Sequence, residues 1–332
     1  MRKTEFETIM LETVRQRTRS HDVNTRQSTL ASSVPINGVG LHSGEVIVMT
    51  LRPAAADTGV VFRRTDLASK DTRVTDIPAT YAHVVDTMMS TVIGNVAGTR
   101  VGTIEHLMAA LSALRLDNVL VEISGAEVPV LDGSSVVFVE KISKAGLVSL
   151  DAPRKAIRIL KPVTVEDGLK RASLLPGESF HLAFEIEFDN PVIGHQEVEA
   201  DLYDDFFVDD ILHARTFGFF SDFEKLQAAG LARGASLDNA VVIDGERILN
   251  VGGLRCEDEF VRHKVLDAVG DLSLAGMPLI GRYEGLRAGH AMNNRVLRAL
   301  FDDAAAWEVV DFALPAVARR ASGRQRLAIP AE

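Results

Sequence analysis

FVRHKVLDAVGDLSLAG, residues 260–276, decides how this chain is read. Its apolar spacing predicts a helix. At about 100° per residue, His263, Lys264, Asp267 and Asp271 share a polar arc roughly 100° wide. Val265, Ala268, Val269 and Leu272 cover the opposite side. His263 and Asp267 are four residues apart, so on a helix they stand one turn apart on one face. That is the spacing of His-x-x-x-His zinc helices, with a carboxylate in place of the second histidine. Imidazole and carboxylate both suit Zn²⁺, and a catalytic site takes three protein ligands and keeps one position open. A third ligand must then come from elsewhere. Taken alone, the pair is more simply an exposed His–Asp contact on a solvated face.

The bulk numbers narrow the setting. The chain has 332 residues, more than one typical domain, so two are expected. Hydrophobic residues make up 46% and charged residues 25%, a globular profile. A formal net charge of -10 argues against broad nucleic-acid binding, which needs a basic face. Cys256 is the one cysteine, so no disulfide can form within the chain and no thiolate cage can hold a metal. Any metal must sit on His and carboxylate. No apolar run approaches the roughly 18 residues of a membrane span. The first 26 residues lack a signal-peptide centre and read as a charged tail or short helix, so a cytoplasmic protein is expected.

Periodicity runs in two similar passes. From 27 to 80, strand-like runs alternate with NG and SG turn signals. Ile104, Leu107, Met108 and Leu111 then recur at helical spacing, with Thr103 as the expected N-cap. NVLVEISG returns to strand, and VPVLDGSSVVFVEKISKAGL reads strand, turn, helix. From about 151 the pattern restarts: strands within 155–203, mixed signals to 234, the hairpin arm AVVIDGERIL, the helix of 260–276, and a strand leading into a last helix. Two α+β halves joined near 151–156 follow from this order.

Two further stretches carry chemistry. TIEHL (103–107) opens a helix with Glu105 and His106 side by side. Glu is the usual base in zinc hydrolases, though a Glu also suits a helix start on electrostatic grounds. In GLRAGHAMNNR (285–295), His290 stands between Gly289 and Ala291 where a strand enters a helix. A histidine there can serve a cleft as acid or oxyanion stabiliser, or simply cap a turn.

TIEHL, HKVLD and GHAMNN occur in this order, with GVGLH before them, VPVLDGS between and ARTFGF ahead of the second half. Together they resemble the UDP-3-O-acyl-N-acetylglucosamine deacetylase family, zinc enzymes of the committed step in lipid A biosynthesis. The resemblance covers about 27–312. It implies an α+β fold of two similar domains, each a β-sheet layer with helices packed inward against the other domain, a β-α-α-β sandwich. It implies a tail over 1–26, domain I over 27–150, and domain II over 151–332 with an acyl-chain insert at about 218–245. His106, His263 and Asp267 match the zinc ligands, and Fe²⁺ could occupy such a set as well. Glu105 matches the general base, His290 the second catalytic group, and Asp271 the acid that orients it. Lys264 and Thr216 match groups near substrate and oxyanion. Phe217, Phe219 and Phe223 match the lining of an acyl passage, with Leu41 and Met88 expected at the substrate.

The implied reaction is acetamide hydrolysis, with Zn²⁺ polarising the carbonyl and Glu105 taking the proton of the attacking water. Either His290 or Glu105 would protonate the amine. The expected partner is a UDP-acyl-sugar acting on a monomer, with no nucleic acid and no transmembrane segment. Two other readings stand beside this one. A zinc amidohydrolase of another N-acyl sugar would not need the apolar insert. A non-catalytic zinc-organised protein would have no use for a base. The first 26 residues and Met88, Met89 and Ser90 depart from the family pattern.

Overall fold

The computed structural model describes residues 25–312. Among them are seven α-helices: α1 (Thr72–Thr75), α2 (Glu105–Ala113), α3 (Val136–Ala145), α4 (Asp205–Asp209), α5 (Phe223–Ala228), α6 (Glu259–Leu272) and α7 (His290–Asp302). The charged stretch expected at the N-terminus lies outside the described residues up to 24; Arg26–Leu30 is already a strand.

Two large sheets carry the fold. The first has spatial order Val34–Val39, Val46–Pro53, Val119–Ile123, Val60–Arg64, Asp76–Pro78. Alternation sets its faces: Ile47, Met49 and Leu51 point inward while Val46 and Val48 stay exposed. Val60–Arg64 and Val119–Ile123 run parallel. Parallel neighbours need a long crossover, usually helical, and here it carries α2.

The second sheet is built around Leu279–Leu286. That strand pairs antiparallel with Lys170–Leu175 and parallel with Phe180–Glu187 and Lys155–Ile159. Val163–Asp167, His195–Asp201 and Trp307–Asp311 complete it. The crossover from Phe180–Glu187 to Leu279–Leu286 carries α6. Both decisive helices therefore sit on the covered face of a sheet for the same topological reason.

Helix α2 packs on α6, α6 on Phe180–Glu187, and α7 on α6 and on Val163–Asp167. One apolar cluster runs through both sheets and the helices between them. This is the α+β layering expected. At the α2–α6 crossing stands Gly270, where a Cβ would lie 2.1 Å from the Glu105 carbonyl oxygen. Only a glycine lets the backbones approach so closely.

Several expectations are corrected. Thr103 is not a side-chain cap of α2: it has φ 55°, Ile104 occupies the cap position, and the Thr103 hydroxyl bonds elsewhere. VPVL is not a strand; Glu127 and Pro129 make isolated bridges only. Near the expected junction at 151–156, Leu147–Pro153 pairs with Arg26–Leu30 and Lys155–Ile159 begins the second sheet. Two three-stranded ribbons also appear, Val84–Asp86 with Val92–Gly94 and Arg100–Val101, and Phe217–Phe219 with Val241–Asp244 and Arg247–Ile248.

Candidate metal centre and acid–base cluster

The polar arc of α6 is not solvated. His263, Asp267 and Asp271 are at most 3% exposed, and so are Glu105 and His106 on α2. The exposed-pair explanation therefore fails. The arc faces α2 across the Gly270 contact, which brings two sequence-distant motifs into one cluster.

His106 Nε2 lies 3.6 Å from Asp267 Oδ1, and His263 Nε2 lies 3.3 Å from the same oxygen. Ligand atoms of the three residues fall within 4.8 Å of one another, the one such His/Cys/Asp/Glu group among the described residues. His263 Nδ1 bonds the Ala214 carbonyl at 3.0 Å. Because a carbonyl only accepts, Nδ1 must carry the proton and Nε2 presents its lone pair. Burial lowers the His263 pKa to about 3, against the raising effect of Asp267, so the ring stays neutral. Asp267 Oδ2 takes the Lys264 ammonium at 2.8 Å, while Oδ1 has no hydrogen-bond partner although buried. Burial works to raise the Asp267 pKa, yet its neighbours, the bonded Lys264 ammonium among them, hold it well below the usual carboxylate range. A buried, charged, unsatisfied oxygen beside two imidazole nitrogens costs free energy unless something cationic completes it. Two imidazoles and a carboxylate make a donor set that suits a divalent metal.

A second set of bonds lies alongside. Asp271 Oδ2 accepts from His290 Nδ1 and Asn293 Nδ2, both at 2.8 Å, and Oδ1 accepts from the Thr91 hydroxyl at 2.5 Å. Asn293 in turn takes the Tyr283 hydroxyl at 2.5 Å. With Nδ1 committed, His290 turns Nε2 toward Glu105 Oε1, 3.9 Å away. Burial alone would lower the His290 pKa; the charges of Asp271 and Glu105 push it up to about 10. Burial raises the Glu105 pKa, and the charge of His290 opposes that. Glu105 Oε2 is held by the Thr91 amide at 3.1 Å, so the other oxygen stays free. The result is a proton acceptor and a proton donor facing one gap beside the metal-capable trio.

The remaining expected residues spread outward. Lys264 joins the cluster through Asp267 and lies over the Phe217 ring at 5.4 Å. Thr216 is pinned by both backbone groups, its N–H to Gly133 and its C=O to Val241. Phe217 packs edge-on against Phe260 at 4.9 Å and His263 at 6.3 Å, and Phe219 against Phe188. Phe223 opens α5, a helix with no buried residue, and stacks on Phe220 of the turn before it. Leu41 is half-buried, and its carbonyl accepts from Gly234. Met88 is 63% exposed, its amide bonded to Asp86 within its own loop.

Sequence reasoning missed Thr91, Asn293, Tyr283 and His42. Asn293 carried a signal, lying three residues after His290 on one helical face. Thr91 did not, since nothing local links it to a helix 180 residues away. His42 stands close enough to His290 for their charges to oppose, and burial lowers its pKa. A cavity of about 370 Å³ opens at the opposite end of α2, lined by Met108, Leu111, Arg115 and Tyr203; it contains none of the metal-capable residues.

The chain is similar to known proteins over most of its length. The family model described as LpxC: UDP-3-O-acyl N-acetylglycosamine deacetylase matches residues 27–302. A relative from Pseudomonas entomophila (strain L48), named UDP-3-O-acyl-N-acetylglucosamine deacetylase, is 50% identical over 289 residues, covering 86% of this chain and 94% of its own. A protein of the same name from Phenylobacterium zucineum (strain HLK1) is 50% identical over 287 residues, 86% and 97% of the two chains. Another, from Hahella chejuensis (strain KCTC 2396), is 50% identical over 289 residues, 86% and 94%.

Proposed function

The chain belongs to the UDP-3-O-acyl-N-acetylglucosamine deacetylase family, and on that footing we infer that it hydrolyses the acetamide of UDP-3-O-(3-hydroxyacyl)-N-acetylglucosamine, releasing acetate and the free amine in lipid A biosynthesis. The observation that carries the mechanism is the partnerless Asp267 Oδ1 between two imidazoles, with Glu105 and His290 facing the gap beside it.

His106, His263 and Asp267 would hold the metal, which we take to be Zn²⁺; among the described residues these donors suit it, and Fe²⁺ shares the preference. When bound, the cation polarises the amide carbonyl and acidifies the attacking water. Glu105 accepts the water proton on its free oxygen, its raised pKa bringing it closer to neutral working pH. His290, cationic because Asp271 and Glu105 outweigh burial, hydrogen-bonds the oxyanion through Nε2–H and then transfers that one proton to the departing amine. Asp271 fixes the His290 tautomer and ring plane, itself fixed by Thr91 and Asn293. Thr216 and Lys264 flank the oxyanion. Phe217, Phe219 and Phe223 line the acyl passage in the insert at about 218–245, a reading supported by the half-buried aromatics there. Leu41 and Met88 contact substrate nearer its entry. At roughly 0.8 kcal/mol per buried CH₂, such a passage contributes strongly to substrate binding.

The division into 27–150 and 151–332 belongs to the same reading. Its support is that the first large sheet draws every strand from 34–123 and the second from 155–311. The substrate is a small molecule, and no helix of the described residues is long and apolar enough to cross a membrane. A closed structural metal site would use four protein ligands; three with a flanking acid and base favour catalysis.

The test is deacetylation of the 3-hydroxymyristoyl substrate by purified protein, before and after chelation and Zn²⁺ add-back. Activity lost to the chelator and restored by metal is expected. A folded, metal-loaded protein inactive on this and shorter acyl chains would overturn the reading.

A further inference from the structure

Glu127 lies outside every motif assigned a role above. It is 5% exposed, and both of its oxygens are fully engaged. Oε1 accepts from the His42 amide at 2.8 Å and the Thr103 hydroxyl at 3.0 Å, and Oε2 accepts from the Ser43 amide at 2.8 Å. Its flanking backbone is laced to the same turn: the Gly102 amide donates to the Ala126 carbonyl at 2.8 Å, and the Val128 amide to the Gly102 carbonyl at 3.0 Å. The carboxylate is admitted by Gly40, where a Cβ would stand 2.3 Å from Oε2.

Each partner of Glu127 leads somewhere. On one side is Thr103, a β-branched residue at φ 55°. That conformation is strained for such a side chain and persists only where its surroundings impose it. One residue separates Thr103 from Glu105, so whatever holds Thr103 sets the entry of α2 and the direction of the base. On the other side is the loop 41–43. The Gly234 amide donates to the Leu41 carbonyl at 3.0 Å, the Arg233 amide to the His42 carbonyl at 3.1 Å, and the Ala232 amide to His42 Nδ1 at 3.4 Å. Ala232 is also left-handed, at φ 53°. Residues 232–234 lie within the insert, just after α5. One buried carboxylate thus stands between the turn that aims Glu105 and the loop that grips the insert.

We propose that Glu127 is a positioning residue that sets Glu105 through Thr103 and couples that setting to acyl occupancy of the insert through the 41–43 loop. An acyl chain held in the insert is then expressed in kcat as well as in KM, the use of remote binding energy that raises rate instead of affinity alone. The carboxylate suits the task because it accepts from two amides and a hydroxyl at once, with charge-assisted bonds that fix direction. This inference rests on the assignments of Glu105 as base and of the insert as acyl passage.

The experiment compares UDP-3-O-(3-hydroxymyristoyl)-N-acetylglucosamine with its 3-O-butyryl analogue on wild type, Glu127→Gln, Glu127→Ala and Thr103→Val, with metal content and melting temperature recorded for each. In the wild type, a higher kcat is expected for the long chain. Misplacing a base by about 1 Å costs on the order of 10²-fold, and a loss of that size in long-chain kcat is expected for Glu127→Ala. The short-chain kcat falls less, so the kcat ratio contracts toward one. Glu127→Gln, which keeps one acceptor oxygen, falls between, and Thr103→Val moves in the same direction. Equal losses on both substrates, an unchanged ratio, or variants that lose metal or fold would overturn the proposal by leaving Glu127 a scaffold role only. A wild type inactive on both substrates would instead remove the deacetylase reading itself.

Discussion

Glu105 and His290 are both acid–base groups, and their environments separate them. Glu105→Ala removes the proton acceptor without touching His106, His263 or Asp267, so metal content should stay at wild-type level while kcat falls about 10²–10⁴-fold. Metal analysis alongside turnover checks both halves of that statement. The pH profile follows from the same pair. Rate rises as Glu105 ionises, and burial moves that limb above the ordinary carboxylate range. Rate falls when His290 loses its proton; Asp271 and Glu105, against burial, hold that limb near pH 10. His290→Ala should lower kcat and abolish the alkaline limb of kcat/KM, and a limb that survives would assign the acid role elsewhere. The clustering of these residues was legible in the sequence because HKVLD and the Asp271 four residues beyond it share one helical face, while TIEHL and GHAMNN each set a polar residue at a helix start. Thr91 and Tyr283 were not, because their roles exist only once distant strands close around Asp271.

At the scale of elements, the contact that makes the site is α2 against α6 at Gly270. Adding one methyl there meets the Glu105 carbonyl, backbone against backbone, and neither can move without shifting a helix. Gly270→Ala should therefore destabilise the fold by on the order of 3 kcal/mol. It should also reduce activity at temperatures where the protein is still folded, because the displacement moves Glu105 and His106 away from Asp267. Denaturant titration and turnover at low temperature separate the two effects. The sequence period placed α2, α3, α6 and α7 within a few residues. It failed where tertiary bonding replaced local signals: Thr103 looked like a cap because caps are read from residue type, yet its hydroxyl goes to Glu127. VPVL reads as a short apolar strand, yet only isolated bridges form there, at Glu127 and Pro129.

Across the whole molecule, the two sheets are joined by more than the helices between them. Arg154, 1% exposed, donates Nε to Asp117 Oδ1 at 2.9 Å and an Nη2 to Asp117 Oδ2 at 2.6 Å, and the same nitrogen reaches the Arg115 carbonyl at 2.7 Å. Its neighbours in sequence end one strand and begin another, so it ties the first sheet's α2–strand corner to the start of the second. Arg154→Met leaves the Asp117 charge without its partner and should cost about 3–5 kcal/mol, read as a lowered denaturant midpoint with little change in kcat at low temperature. The sequence hid this residue, since 151–156 read as a junction between halves and a junction gives no reason to expect a buried cation. The second sheet has a further property. Its hairpins at 163–175 and 180–201 can form early, but the strand that joins them is Leu279–Leu286, and α6 precedes it directly. A ribosome delivers the chain from its N-terminus, so His106 emerges about 160 residues before His263 and Asp267, and the sheet lacks its joining strand until Leu279–Leu286 appears. Metal loading at this trio would then come late in biosynthesis, a step that a stalled chain would not pass. Nascent chains arrested before residue 279 should fail to retain metal and should be protease-sensitive beyond residue 155, while those released after residue 312 should do neither.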